Sequence, residues 1–119
     1  MSRYRIQQVD FTVVVLNGTA TISAVPTVPI NGLVRAIYVD APALTSANYT
    51  VSINGPKTGQ VLFSKASLTP NAKSNVLADA NNAPLNIPVV EGSGVGITTA
   101  GNEAADRSFT VTLLIDREG

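Results

Sequence analysis

The chain has no cysteine and no histidine. Without cysteine it can form no disulfide, thiolate zinc site or iron–sulfur cluster, and it has no thiol nucleophile. Without histidine it lacks the commonest general base, the usual proton shuttle and the commonest transition-metal ligand. Tryptophan is also absent, and aromatic residues make up only 5% of the 119 residues. Charged residues reach 13%, about half the ~25% of an average soluble domain. Eight basic side chains balance eight acidic ones, so the electrostatic grip that nucleic acid demands is missing and no nucleic-acid partner is expected. No run approaches the ~18 apolar residues of a membrane span, so no membrane partner is expected either. Arg3 and Arg5 begin the chain as a secretion leader would, but Gln7, Gln8 and Asp10 interrupt the apolar run such a leader needs. The reading is a protein without an export signal, in which Asn17-Gly18-Thr19 and Asn48-Tyr49-Thr50 serve as turn and strand residues, not glycosylation sites.

What the chain does contain is 45% hydrophobic residues, enough for a core without staples. Short runs rich in Val, Ile, Thr and Phe alternate with Gly, Pro and Asn clusters, the punctuation of an all-β protein. The length and unbroken pattern predict one domain over residues 1–119, an antiparallel β-sandwich of about eight strands, jelly-roll-like or immunoglobulin-like. Val9 to Leu16 ends at Asn17-Gly18, a dipeptide suited to tight hairpin turns, so Thr19 to Val25 is predicted to return beside it, with Ala20, Ile22 and Ala24 on one face. Pro26 and Pro29 should open a loop. Leu33 to Asp40 reads as a strand apolar on both sides, with Val34, Ala36 and Tyr38 on one face and Leu33, Ile37 and Val39, with Arg35 among them, on the other.

Tyr49 to Asn54 alternates, with Tyr49, Val51 and Ile53 inward, and Gly55-Pro56 with Gly59 brackets a turn into Gln60 to Lys65. Between Ser67 and Ala83 the alternation is lost. Thr69-Pro70 could start one or two helical turns closed at Asn81-Asn82, or the stretch could be an irregular loop. Pro88 makes Leu85 to Val90 an edge strand. Glu91 to Gly94 is a turn before Val95 to Thr99. Arg107 to Asp116 alternates best, with Phe109, Val111, Leu113 and Ile115 inward, Ser108, Thr110 and Thr112 outward, and Leu114 breaking the outward series. The likeness of Phe11-Thr12-Val13 to Phe109-Thr110-Val111 suggests that the first and last strands are neighbours.

Few residues could carry chemistry. Ser64 and Lys65 are adjacent on a strand and point to opposite faces, so they cannot cooperate; Lys73-Ser74 is the other adjacent pair. Glu103 and Asp106 share a loop and are the best carboxylate pair for glycoside hydrolysis, but sugars would find little aromatic surface to stack on. Gly92-Ser93-Gly94-Val95-Gly96 resembles part of a phosphate loop, yet a strand follows it where a helix should. Asn102, Glu103 and Asp106 lack the ligand spacing of a calcium loop. No catalytic residue, cofactor or metal is assigned. Sparse charge fits either coverage by partners, since interface cores are depleted in charge, or a surface that is uncharged but still polar. The candidate contact residues are the basic arm Arg3, Tyr4 and Arg5 and the outward apolar Val14, Leu62 and Leu114.

Four stretches together, Pro29-Ile30-Asn31-Gly32-Leu33-Val34-Arg35-Ala36-Ile37, Asn48-Tyr49-Thr50-Val51-Ser52-Ile53, Ile87-Pro88-Val89-Val90 and Phe109-Thr110-Val111-Thr112-Leu113-Leu114-Ile115, resemble the small β-sandwich virion proteins of tailed bacteriophages, including capsid decoration or cement proteins. The resemblance covers most of the chain in texture and includes no diagnostic motif. It implies a non-enzymatic homo-oligomer, often a trimer, made in the host cytoplasm. Such a protein is seated on the outer capsid, where it bridges neighbouring copies of the major capsid protein. The alternatives are a tail, neck or fibre subunit, or a carbohydrate-binding module on a similar sandwich.

Overall fold

The computed structural model describes residues 6–24, 30–45, 47–56, 60–79 and 81–117. Among the described residues nine strands are formed: β1 (Ile6–Val15), β2 (Thr21–Ala24), β3 (Gly32–Asp40), β4 (Tyr49–Asn54), β5 (Val61–Leu68), β6 (Lys73–Val76), β7 (Ile87–Val89), β8 (Gly94–Thr99) and β9 (Arg107–Asp116). They make two antiparallel sheets. One runs β1-β9-β3-β6, with β7 also paired to β3; the other runs β2-β8-β4-β5. The pairs are nested: β1 with β9, β2 with β8, β3 with β6 and β7, and β4 with β5. Successive pairs fall in opposite sheets, as in a double-stranded ribbon rolled into a sandwich. That is the jelly-roll order, and it decides between the two sandwich types the sequence left open.

The expected first-and-last pairing is present. Ten residues of β1 run beside ten of β9 without a register break, from Ile6↔Asp116 to Val15↔Arg107, and Thr12 lies opposite Thr110. Alternation then places Val9, Phe11, Val13 and Val15 with Phe109, Val111, Leu113 and Ile115 in the core. Tyr49, Val51 and Ile53 from β4 and Val95 and Ile97 from β8 face them from the other sheet. The rings of Tyr49 and Phe109 meet tilted by 60°, with centroids 5.2 Å apart, a favoured aromatic geometry.

Three expectations are corrected. Asn17-Gly18 does turn the chain, with Gly18 at φ 82°, but it joins strands of different sheets instead of a hairpin. The Gly18 amide donates to the Glu103 carbonyl, far along the chain, at 2.7 Å. A tight turn specifies reversal; it does not specify that the two arms hydrogen-bond to each other. Second, the described residues between Ser67 and Ala83 include a strand and no helix. Lys73–Val76 forms β6 against Ile37–Asp40, while Ser67, Asn71 and Asn82 take positive φ around it. Third, the face assignment in β3 fails because the register slips between Val34 and Ala36. One extra residue there lets Val34, Ile37 and Val39 all face inward, which strict alternation forbids. Ala36 and Tyr38 then lie on the other side of the strand, opposite Leu114 and Thr112, where Ala36 is buried and Tyr38 half-buried. Arg35, at the bulge, reaches Asp116 at 3.0 Å.

Pro88 lies on β7, which among the described residues pairs with β3 alone and is an edge strand as expected. The loop expected at Pro26 and Pro29 lies outside the described residues. Gly32 has φ 148° at the start of β3, and a Cβ there would collide with the Asp116 carbonyl oxygen. Only glycine lets the strand enter the sheet so close to the end of β9.

Burial pushes the Tyr49 phenol above its ordinary pKa; a hydrogen bond with Ser74 partly opposes this, and the Asp40 charge adds to it. A phenol with a raised folded pKa contributes stability that is whole below its unfolded pKa of about 10. That stability is lost as pH rises through the folded value. Tyr49→Phe should therefore unfold in urea close to the parent at neutral pH but be the more stable of the two in urea melts above about pH 10, where only the parent must ionise a buried ring.

Candidate contact surface

The acids that might have formed a catalytic pair serve the fold instead. Glu103 is buried at 1% exposure. Its Oε1 accepts from the Thr45 amide at 2.7 Å and from Arg107 Nε at 3.1 Å. Thr45 Oγ1 also accepts from the Ala104 amide and from Arg107 Nη2. On the main chain, the Glu103 amide donates to the Thr19 carbonyl at 2.9 Å, and its carbonyl receives the Gly18 amide. One residue thus ties the β1–β2, β3–β4 and β8–β9 connections together at one end of the sandwich. Asp106 points elsewhere and accepts from the Asn17 amide at 2.8 Å. Glu103 and Asp106 are thus engaged by different partners, and no cluster of three His, Cys, Asp or Glu side chains able to hold a metal lies among the described residues.

The other sequence candidates resolve similarly. Ser64 and Lys65 sit opposite Ser52 and Val51 on alternate faces of β5. Ser74 turns inward, where its hydroxyl accepts from Tyr49 at 3.4 Å, while Lys73 is exposed beside Asp40. Gly92, at φ 93°, makes the turn into β8, and the Ser93 hydroxyl accepts from the Val90 amide at 3.1 Å. Tyr49 is in the core, so it cannot serve a sugar platform.

What remains is surface, and its two broad faces differ. The outer face of the β1-β9-β3-β6 sheet carries Asp10, Asp40, Asp116, Arg35 and Lys73. An open depression of about 340 Å³ on it is lined by Tyr38, Val39, Asp40, Lys73, Asn75, Thr110 and Thr112. On the β2-β8-β4 part of the other sheet, the register brings Thr21, Thr98 and Thr50 into one outward row and Ser23, Gly96 and Ser52 into the next. No Asp, Glu, Lys or Arg stands in either row. Gly96 is buried beneath its neighbours, and a Cβ there would lie 2.7 Å from Ser52 Oγ. The sequence showed these Thr and Ser positions only as strand filler; their alignment into one uncharged surface depends on register.

Of the expected contact residues, Val14 is 36% and Leu62 40% exposed, and Leu114 is half-buried. Leu62 is the extra residue of a bulge in β5, between Val61↔Asn54 and Phe63↔Ile53. Arg3, Tyr4 and Arg5 lie outside the described residues. Val14, Leu62 and Leu114 do not form one patch, since Leu62 is on the opposite sheet. The sequence reading passed over Ile6 and Leu16, which are 52% and 47% exposed at the two ends of β1; their even positions, shared with Val14, were the available signal.

No family model matches the sequence, and no curated protein sequence does. Among solved structures, a chain of the cyanophage Pam1 capsid asymmetric unit superposes with a TM-score of 0.60 at 19% identity, over 97% of this chain and 86% of that one. A Bacillus endospore appendage protein, from disulfide-linked pili, gives 0.46 at 14% identity over 98% and 93%. The T13 particle of infectious bursal disease virus gives 0.43 at 16% identity over 97% of this chain and 32% of that one. The Pam1 likeness establishes a shared fold along nearly the whole chain.

Glu103 combines full burial with a charge partner, so removing it takes the ion-pair acceptor from Arg107 Nε and the acceptor from the Thr45 amide. Glu103→Ala should lower unfolding free energy by about 3 kcal/mol in chemical denaturation. Glu103→Gln, which keeps an acceptor oxygen, should lose less.

Proposed function

We propose that this protein is a non-enzymatic structural component of a virion, a capsid decoration or cement protein that lies on the outer shell and bridges major capsid subunits. The observation that carries this reading is the pair of uncharged rows of Thr, Ser and Gly that the register aligns across β2, β8 and β4. A surface without charge has little to desolvate, and its small side chains allow close approach over a wide area. The whole-length fold likeness to a chain of a cyanophage capsid unit supports the same reading. So does the engagement of Glu103 and Asp106 in the fold, which takes up the two acids the sequence offered as a carboxylate pair. Attachment at many lattice points multiplies a weak contact into firm retention, because each bound copy or linked neighbour raises the effective concentration for the next.

The chain should be found in purified particles in hundreds of copies, counted by quantitative mass spectrometry against the major shell protein. A handful of copies would assign it to tail or neck, and absence from particles would refute a virion role. Thr98→Lys places an ammonium in the middle of the uncharged face and should weaken rebinding to stripped particles at least tenfold, an effect of about 1.4 kcal/mol. The same change at Thr110, on the opposite sheet, should leave rebinding near the parent value.

A further inference from the structure

Four strand edges bound the two sheets, and three of them are blunted. β2 has only four residues. β5 carries two register breaks, a positive φ at Ser67 and Lys65. The edge of β3 is shared by β6, four residues beginning with Lys73, and β7, three residues with Pro88 at the centre. Short length, bulges, lysine and proline are the usual devices that prevent a sheet edge from pairing with another chain. β1 has none of them. It is ten residues long, contains no Pro, Lys or Arg, keeps an unbroken register with β9, and among the described residues has no other pairing strand.

The edge is also self-complementary. Consider an antiparallel pairing with a second copy about a two-fold axis at Phe11. Ile6 then faces the partner copy's Leu16, so the two exposed apolar ends of the strand cover each other. Val9 faces Val13, Gln8 faces Val14, and Phe11 faces its own counterpart. Asp10, the one charge on the strand, faces Thr12. Its position is set by a hydrogen bond from Thr112 Oγ1 at 2.7 Å. Centring the axis one residue earlier would oppose Asp10 to itself, a like-charge pair that destabilises a ladder. Centring it one residue later would leave Ile6 without a counterpart and set each Asp10 against an apolar Val14.

We infer that β1 is a homotypic docking edge, through which two copies join their β1-β9-β3-β6 sheets into one continuous sheet about a two-fold axis at Phe11. This contact stands independently of any capsid attachment. It also differs from the trimer that the family resemblance implies, because a two-fold contact builds dimers and even-numbered assemblies whereas a closed trimer needs a head-to-tail contact.

Sedimentation equilibrium of the full chain at low salt tests the inference, with dimer the expected smallest assembly. In this register Thr12→Glu puts an acid opposite Asp10 twice and should weaken the dimer about tenfold. Thr12→Lys puts a cation there and should match or exceed the parent. Both changes are at an exposed outward position, and unchanged thermal melts show that folding is intact. Because the chain has no cysteine, cross-linking provides a second measurement. Asp10→Cys mixed with Thr12→Cys should give a disulfide-linked heterodimer on mild oxidation, since opposed residues lie within disulfide reach. Thr12→Cys alone should link poorly, because its own counterpart is on a diagonal. A monomer at all concentrations, a trimer as the smallest assembly, equal weakening by Thr12→Glu and Thr12→Lys, or no heterodimer in the mixture would each overturn the inference.

Discussion

The ladder between β1 and β9 closes the molecule, and the other strand pairs are nested inside it. Ten residues near each end of the described chain run side by side, and their inward Val, Phe, Leu and Ile side chains supply one wall of the core. Each such side chain contributes about 1.5–3 kcal/mol on full burial. The cost of bringing distant segments together grows only by about 0.6 kcal/mol for each doubling of the loop. Burial along a ten-residue ladder therefore outweighs the closure of a long chain, and the intervening pairs form within its bounds.

With the wall in place, the remaining strands must bring apolar residues to it even where their own spacing is imperfect. β3 does so by a bulge, which changes phase so that Val34, Ile37 and Val39 all meet the core. The exposed Arg35–Asp116 ion pair beside the bulge contributes little by comparison. At one end, the buried Glu103 gathers three connections through hydrogen bonds to main-chain and side-chain donors. The acid that seemed best suited to chemistry is thereby used to hold loops in place. Around these connections, the described surface consists of two unlike faces and the strand edges. One sheet presents charge and a shallow depression, the other presents uncharged small residues, and β1 presents an unguarded edge.

Much of this was legible in the residues because a strand buried on one side leaves a two-residue period. β1, β4 and β9 show that period plainly, and the shared Phe-Thr-Val triplets even pointed to β1 and β9 as partners. Pro88 identified an edge strand by its missing donor. Elsewhere the local signal was true but incomplete. Asn17-Gly18 specifies a turn, yet the strands on either side of it belong to different sheets. Lys73 to Val76 has no apolar alternation and is a strand only because β3 offers it an edge. Val14 and Leu62 are both exposed, but the division into two sheets separates them.

The sequence by itself determined the all-β class, the inward residues of the regular strands and the absence of histidine and cysteine chemistry, because these depend on composition and on a period only two residues long. Tertiary structure alone decided the jelly-roll order, the phase change in β3, the structural use of Glu103 and the alignment of Thr and Ser into an uncharged face. Each of these arises from contacts between segments far apart in the chain. Register and sheet membership set such contacts, and neither is encoded in any short stretch of residues.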